Sequence, residues 1–264
     1  MLCCLLLFGM KRNVIMVVSI NQTSDVFLRS IRRNSVSGDV VVFTDRKAFK
    51  DRSIKVVHVD PSKSKHSILI QRFKWYYDFL KENAGVYGKV IHTDSNDAVF
   101  QYDPWKYIPE NSIVMGQSDT PIMETHGNSF FIGKCYGEKE YKRLMNEKTV
   151  CAGFIGGGIR PFLEFLDVFN KEVLRINETQ CLNGMNFDKH QAGDQAIILK
   201  TVYESQISNV VLENCSCSVF LTEKYCYQRG VTVKKGRIIN SCGIAPVYVH
   251  QYNHIQGLSE IINR

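Results

Sequence analysis

Between Lys89 and Trp105 the chain reads Lys-Val-Ile-His-Thr-Asp-Ser-Asn-Asp-Ala-Val-Phe-Gln-Tyr-Asp-Pro-Trp. An apolar run closes on His92 and Thr93, then presents Asp94 and Asp97, and Asp103 stands just before a proline. Carboxylates this close repel one another unless a cation lies between them, and a hard divalent ion held by oxygen ligands is the usual relief. An ion that keeps open coordination positions can in turn hold a diphosphate. A buried strand delivering acidic residues to the carboxyl edge of a sheet is also where ligands bind in open α/β folds. The same residues serve equally as a helix cap followed by a turn, because Asp and Asn favour both. From spacing alone the two readings stand level.

Three other places carry side chains or backbone suited to chemistry. Cys151-Ala152-Gly153-Phe154-Ile155-Gly156-Gly157-Gly158 runs into a helix opened by Pro161, with Phe162, Phe165, Leu166 and Phe169 inward. A strand, a glycine cluster and a helix N-terminus form a cradle for anionic or hydroxyl-rich ligands, or the glycines simply permit a tight turn. They lack the G-x-G-x-x-G spacing of a dinucleotide site. Gly193 precedes Asp194-Gln195 at the start of an apolar helix, where the helix dipole by itself favours an acid. Arg72 lies off the apolar stripe of a helix just upstream of the acidic segment, either solvated or able to grip a phosphate bidentately.

The elements that would position these groups read as an α/β domain. Asn13–Ile20 is a β-branched central strand, Ser24 caps a short helix through about Asn34, and strands follow at 40–43 and 54–59, the last stopped by Asp60-Pro61. Arg29, Arg32 and Arg33 fall mostly on the outer face of that first helix. Three strands with a helix between the first two make a right-handed, parallel start. Ser67–Glu82 is the strongest helix, with Ile68, Leu69, Phe73, Tyr76, Tyr77 and Leu80 as its apolar stripe and Arg72 and Lys74 off it. A strand is expected at 112–116, and 117–148 reads as a loop-rich insertion with some helix at its end. Short strands around 210–212, 217–221 and 246–249 complete the chain, which ends near His250-Gln251-Tyr252. With no repeat or linker, residues 13–264 read as one domain.

At 264 residues, 44% apolar and 22% charged, the chain has an ordinary globular composition and enough length for a sizeable core. Its net charge of +7 is uneven: residues 1–75 hold 14 Lys and Arg against 5 Asp and Glu, the remainder 19 against 21. No zinc-finger spacing, heptad or aromatic-glycine RNA signature accompanies that excess, so nucleic acid is not expected as a partner. A small polyanion needs only a few of these charges, and a solvated basic face needs none. Met1–Gly9 is nearly all apolar but too short to span a bilayer, so residues 1–12 read as the remnant of a signal or membrane-anchor segment or as an apolar lead into the first strand. Sequons at Asn21, Asn177 and Asn214, with nine cysteines of which five come late (Cys181, Cys215, Cys217, Cys226 and Cys242), point to disulfides in the lumen of the secretory pathway, endoplasmic reticulum or Golgi. Buried thiols and, less well matched in spacing, a zinc site are the other uses of such cysteines.

Taken together, Thr93–Pro104, Cys151–Gly157, Asp194–Ile197 and His250–Tyr252 resemble, in order and spacing, the metal-dependent glycosyltransferases of the GT-A type, over roughly residues 13–255. The resemblance implies a single GT-A-like, Rossmann-like domain whose central, mostly parallel sheet is flanked by helices. It further implies that Asp94, Asp97 and His250 hold manganese or magnesium against the diphosphate of a nucleotide-sugar donor. Ser19, Asn21, Thr44 and Asp45 would line base and ribose, Asp94, Ser95 and Arg72 would sit beside the diphosphate, and the Gly156-Gly157 turn would meet the sugar. Asp194 and Gln195 would serve the reacting carbon, and a glycan, glycoprotein or lipid would be the acceptor. Asp97 matches the second carboxylate of the usual Asp-x-Asp while the first is displaced to Asp94, which leaves open whether Asp94, Asn96 or both face the ion. The match of His250 to the metal-binding histidine of glycogenin-like members is positional, without their Gly-Lys-Pro-Trp sequel. The irregular Asp-Ser-Asn-Asp spacing keeps a non-catalytic nucleotide-sugar or glycan binder on the same scaffold as the alternative. A nucleotidyltransferase is disfavoured, because no glycine-rich basic loop follows Ile20.

Overall fold

The computed structural model describes residues 11–21, 24–47, 53–64, 66–178, 193–204, 207–222, 226, 230–254, 258 and 262. Strands β1 (Arg12–Ser19), β2 (Asp39–Thr44), β3 (Lys55–His58) and β4 (Tyr87–Thr93) lie side by side and parallel. With β6 (Ile113–Pro121), β7 (Lys148–Gly158) and β8 (Val210–Asn214) they form a seven-stranded sheet ordered β3-β2-β1-β4-β7-β6-β8. Only β7 is reversed, running antiparallel to both neighbours, β4 and β6. Strand order turns around at β1, which has β2 on one side and β4 on the other. The crevice at the carboxyl ends of β1 and β4 is therefore the topological switch point, where ligands bind in open α/β sheets.

The core follows from β1 being buried on both faces. Val14 and Met16 pack with Phe73, Phe165 and Ile197 on one side, while Ile15 and Val17 meet Phe27, Leu28 and Trp105 on the other. The period of two thus serves two apolar layers, as expected of a central parallel strand. Six helices are present among the described residues. Helix α1 (Asp25–Arg33) covers the second face, while α2 (Ile68–Glu82), α5 (Ile159–Glu178) and α6 (Gly193–Tyr203) share the first. The predicted inner face of α5 holds, with Phe162, Phe165, Leu166 and Phe169 all fully buried.

Several sequence expectations are corrected. Ser24 occupies the N-cap position of α1 but makes no side-chain cap bond. On α2 the buried stripe is Ile70, Phe73, Tyr76, Phe79 and Leu80, joined by Arg72, whereas Ile68, Leu69 and Tyr77 are only half-buried. Residues 117–148 are not loop-rich: β6 runs on to Pro121, and α3 (His126–Tyr136) and α4 (Glu138–Leu144) fill most of the remainder. Ile122, Phe131, Ile132 and Leu144 anchor that region in the core, a spacing diluted in sequence by the polar residues between them. Residues 179–192 lie outside the described residues, as do Met1–Gly9 and Cys181. No helix among the described residues is long and apolar enough to cross a membrane.

Two smaller sheets are also present among the described residues. In one, β12 (Tyr248–His250) lies between β5 (Ala98–Phe100), to which it is antiparallel, and β9 (Phe220–Leu221), to which it is parallel. In the other, β10 (Thr232–Lys234) and β11 (Arg237–Ile239) form a hairpin. Its two-residue turn puts both Lys235 and Gly236 at positive φ, 51° and 71°, the signature of the primed turns that match strand twist.

Candidate metal centre

Asp94 follows β4 directly and so projects from the carboxyl edge of the sheet. His250 comes from far along the chain, yet β5–β12 pairing sets it opposite Ala98, next to Asp97. One ligand atom from each of Asp94, Asp97 and His250 falls within 4.8 Å of the others, a group that could hold a metal ion. His250 Nε2 lies 3.2 Å from Asp94 Oδ2 and 3.3 Å from Asp97 Oδ1. Asp94 thus stands with Asp97 in this group, while Asn96 between them is exposed and accepts a hydrogen bond from the Tyr252 hydroxyl at its backbone carbonyl.

The donor set fits a cation on chemical grounds. The Thr222 carbonyl, 2.7 Å from His250 Nδ1, can only accept, so Nδ1 carries the hydrogen. Nε2 then faces two carboxylates, and either a proton or a metal ion must stand between them. In keeping with this, His250 is held well above the ordinary histidine range: burial opposes its charge, but Tyr248, Cys151 and the hydrogen bonds to Asp94 and Asp97 outweigh burial. The space is kept by Gly153 on the reversed strand. A Cβ there would lie 2.2 Å from His250 Cε1 and 2.8 Å from Asp94 Oδ2, so any side chain would displace both ligands. Gly116 does the same behind the site, where a Cβ would meet Thr222 Oγ1 at 1.8 Å.

Arg72, expected off the apolar stripe, is 4% exposed. Its guanidinium bridges a close ion pair to Asp94 Oδ1 and one of 2.7 Å to Asp194 Oδ2. It is neither solvated nor available as a bare phosphate clamp. Burial opposes its charge, but the two carboxylates hold it firmly protonated. Asp94 is likewise opposed by burial, yet Arg72 and then His250 keep its carboxyl well below the usual range. Burial pushes Asp194 up to about 6 even though Arg72 pulls the other way. His92, buried beneath the cluster, is driven down to about 3 by burial and Arg72, and its neutral Nε2 donates to the Ala152 carbonyl at 3.0 Å.

The other expected site residues divide. Ser19 and Thr44 are fully buried at the carboxyl ends of β1 and β2, and Asp45 Oδ1 accepts from the Asn21 amide at 3.2 Å, so these four gather at one edge. Ser95 is 3% exposed and donates to the Val18 carbonyl at 2.9 Å, tying the acidic loop to the end of β1 across the switch point. Gln195 is half-buried in the first turn of α6 beside Asp194, whose Oδ1 accepts from the Gln195 amide at 2.8 Å. Gly156 and Gly157 do not join them. They lie within β7 rather than in a turn, opposite Ile91 and Val90, and because β7 is reversed they sit toward the amino edge of the sheet. A Cβ on Gly156 would meet Ile108 at 2.6 Å and one on Gly157 the Ser112 carbonyl at 2.6 Å, so their smallness serves packing. Gly153 and Thr222 are the residues missed. Gly153 stands inside the singled-out glycine segment, but only the strand direction shows which of its glycines meets the ligands.

Two disulfides brace the segment that carries Thr222: Cys215–Cys226 and Cys217–Cys242, with Cα atoms 5.7 and 5.3 Å apart. Cys135 is also disulfide-bonded, while Cys151 is a buried thiol whose Sγ is 3.1 Å from the Thr222 carbonyl. No protein-family model matches this chain, and no curated protein sequence does.

Proposed function

We propose that this chain is a metal-assisted glycosyltransferase that moves a sugar from a nucleotide-diphosphate donor to a glycan, glycoprotein or lipid acceptor, with manganese or magnesium held by Asp94, Asp97 and His250. The observation that carries it is the meeting of these three ligands, from segments more than 150 residues apart, at the carboxyl end of β4 beside the switch point. A bound divalent ion would stabilise the charge that develops on the departing diphosphate. Ser19, Asn21, Thr44 and Asp45, gathered at the adjoining edge, are suited to the base and ribose. Arg72 and Asp194 act in this scheme as positioning residues. Asp194 fixes Arg72, and Arg72 fixes one oxygen of Asp94 so that the other is presented toward His250. Gln195 is then the group at the α6 terminus left to meet the reacting sugar. The disulfides and sequons support a lumenal, oxidising compartment such as the endoplasmic reticulum or Golgi.

One observation favours a non-catalytic nucleotide-sugar binder instead: Asp194, the carboxylate otherwise suited to orient the acceptor, is engaged in a buried ion pair. The two are separated by one experiment. Thermal shifts are recorded with uridine, guanosine, cytidine and adenosine diphosphates, each with and without manganese, for the native chain and Asp97→Ala, followed by an assay for diphosphate release from the matching nucleotide sugars. A manganese-dependent shift with one base, lost in the variant and accompanied by release, is the expected result. Binding without release identifies the binder, and no shift with any nucleotide removes the donor altogether.

A further inference from the structure

Arg72 belongs to the metal centre, but Arg29, Arg32 and Arg33 of the same basic first part of the chain do not. Arg29, Arg32 and Arg33, exposed on α1, meet Lys235 and Arg237 of the β10–β11 hairpin around a cavity of about 460 Å³. Among the described residues that line it there are five cations and no carboxylate. Like charges gathered this closely repel, and an anion between them relieves that repulsion.

A solvated basic face would also be rich in Lys and Arg, but it would not fix them. Here one is fixed. Arg237 Nη1 donates to Asn34 Oδ1 and to the Gln101 carbonyl, both at 2.5 Å, and its guanidinium stacks over Tyr102 at 4.7 Å. Asn34 is itself anchored through Nδ2 to the Ser30 and Phe100 carbonyls. Gln101, 5% exposed, is bonded to the backbone of Ile238 and Pro246. The floor of the cavity is thus a satisfied polar scaffold holding one arginine in place. Neither Nε nor Nη2 of Arg237 finds an acceptor among the described residues, which leaves the planar fork suited to two oxygens of a tetrahedral anion. A pre-placed guanidinium loses little freedom on binding, and the exposed Arg29, Arg33 and Lys235 side chains lie around the same cavity.

We propose that this cavity is a second ligand site that binds a phosphate or sulfate group, free or carried on a sugar, through Arg237 with Arg29, Arg33 and Lys235. It shares no residue with the Asp94, Asp97 and His250 group, and it stands whether or not the chain transfers sugars. The volume suits a phosphorylated or sulfated monosaccharide, small-molecule sites running from roughly 300 to 1,000 Å³.

The test is calorimetric titration of the full chain, at low ionic strength, with inorganic phosphate, inorganic sulfate and glucose 6-phosphate. It is repeated on the Arg29→Gln/Arg33→Gln double variant and on Lys235→Gln, all at exposed positions, with unchanged melting temperature as the check on folding. The native chain is expected to bind at least one of these probes saturably at one site, and each variant to bind it about tenfold or more weakly, as when charge-assisted hydrogen bonds are lost. Tighter binding of glucose 6-phosphate than of phosphate would show that the anion is read on a sugar, and equal binding that it is read as a free ion. Manganese affinity should be the same in all three proteins. Absence of saturable binding by every probe up to tens of millimolar, or equal affinity in native chain and variants, would overturn the proposal.

Discussion

Asp94 is held from two sides, by Arg72 on one oxygen and by His250 on the other, so its charge is fixed before any ligand arrives. The residue that makes this possible has no side chain. Gly153→Ala should weaken manganese binding by at least tenfold while leaving the fold in place, because the added methyl displaces His250 and Asp94 at the sheet edge; calorimetric titration with manganese measures it. Asp194 carries a pH dependence of its own. Its native pKa, about 6, lies above the ordinary carboxylate value of 3.8, so the folded state binds the proton more tightly than the unfolded one. Stability from this group is therefore fully present below the ordinary value and is lost as pH rises through about 6, by about 3 kcal/mol in all. Asp94, shifted the other way, contributes stability above the ordinary carboxylate range and loses it only in stronger acid. Urea unfolding of Asp194→Asn between about pH 4.5 and about pH 7.5 should show a flatter profile than the native chain. An equal slope in both would remove Asp194 as its source.

At the level of elements, the site depends on strands that are short and far apart in sequence. Strand β12 delivers His250 only because it pairs with β5, and the His250 ring is oriented by Thr222, which follows β9 within the segment closed by Cys215–Cys226. The Cys215→Ser/Cys226→Ser double variant should lose about 2–4 kcal/mol of stability in urea unfolding, as expected for opening a loop of this order, and should bind manganese less tightly. Unchanged metal affinity would mean that Thr222 is held without the disulfide. Packing of α2 against α5 is aromatic, with the Phe73 and Phe169 ring centroids 4.2 Å apart and His92 5.2 Å from Phe73. Phe73→Ala should cost about 3–5 kcal/mol, and because it unseats the helix bearing Arg72 it should also disturb the cluster above it.

For the molecule as a whole, a metal that binds the folded chain and not the unfolded one must raise its stability by mass action, about 2.7 kcal/mol at a hundredfold excess over the dissociation constant. A chelator should accordingly lower the melting temperature of the manganese-loaded protein and leave that of Asp97→Ala unmoved. The chain also divides its charges spatially: carboxylates and a histidine gather at the switch point, and five cations gather between α1 and the β10–β11 hairpin. Sequence by itself determined the parallel strands β1 to β4, the helices α2 and α5, and the acidic segment after β4. Strands buried on both faces need unbroken apolar runs and packed helices need a 3.6-residue stripe, so burial writes itself into local pattern. Three matters were decided only in three dimensions. The direction of β7 is not encoded in its composition, since an apolar strand pairs either way, yet it chose Gly153 rather than Gly156 and Gly157 for the metal edge. Arg72 looked solvated because its counter-charges lie 22 and 122 residues away, and only folding brings them to it. Asp94, Asp97 and His250 were legible as ligand types, but their distance depends on β5–β12 register, a long-range pairing for which the local sequence carries no signal.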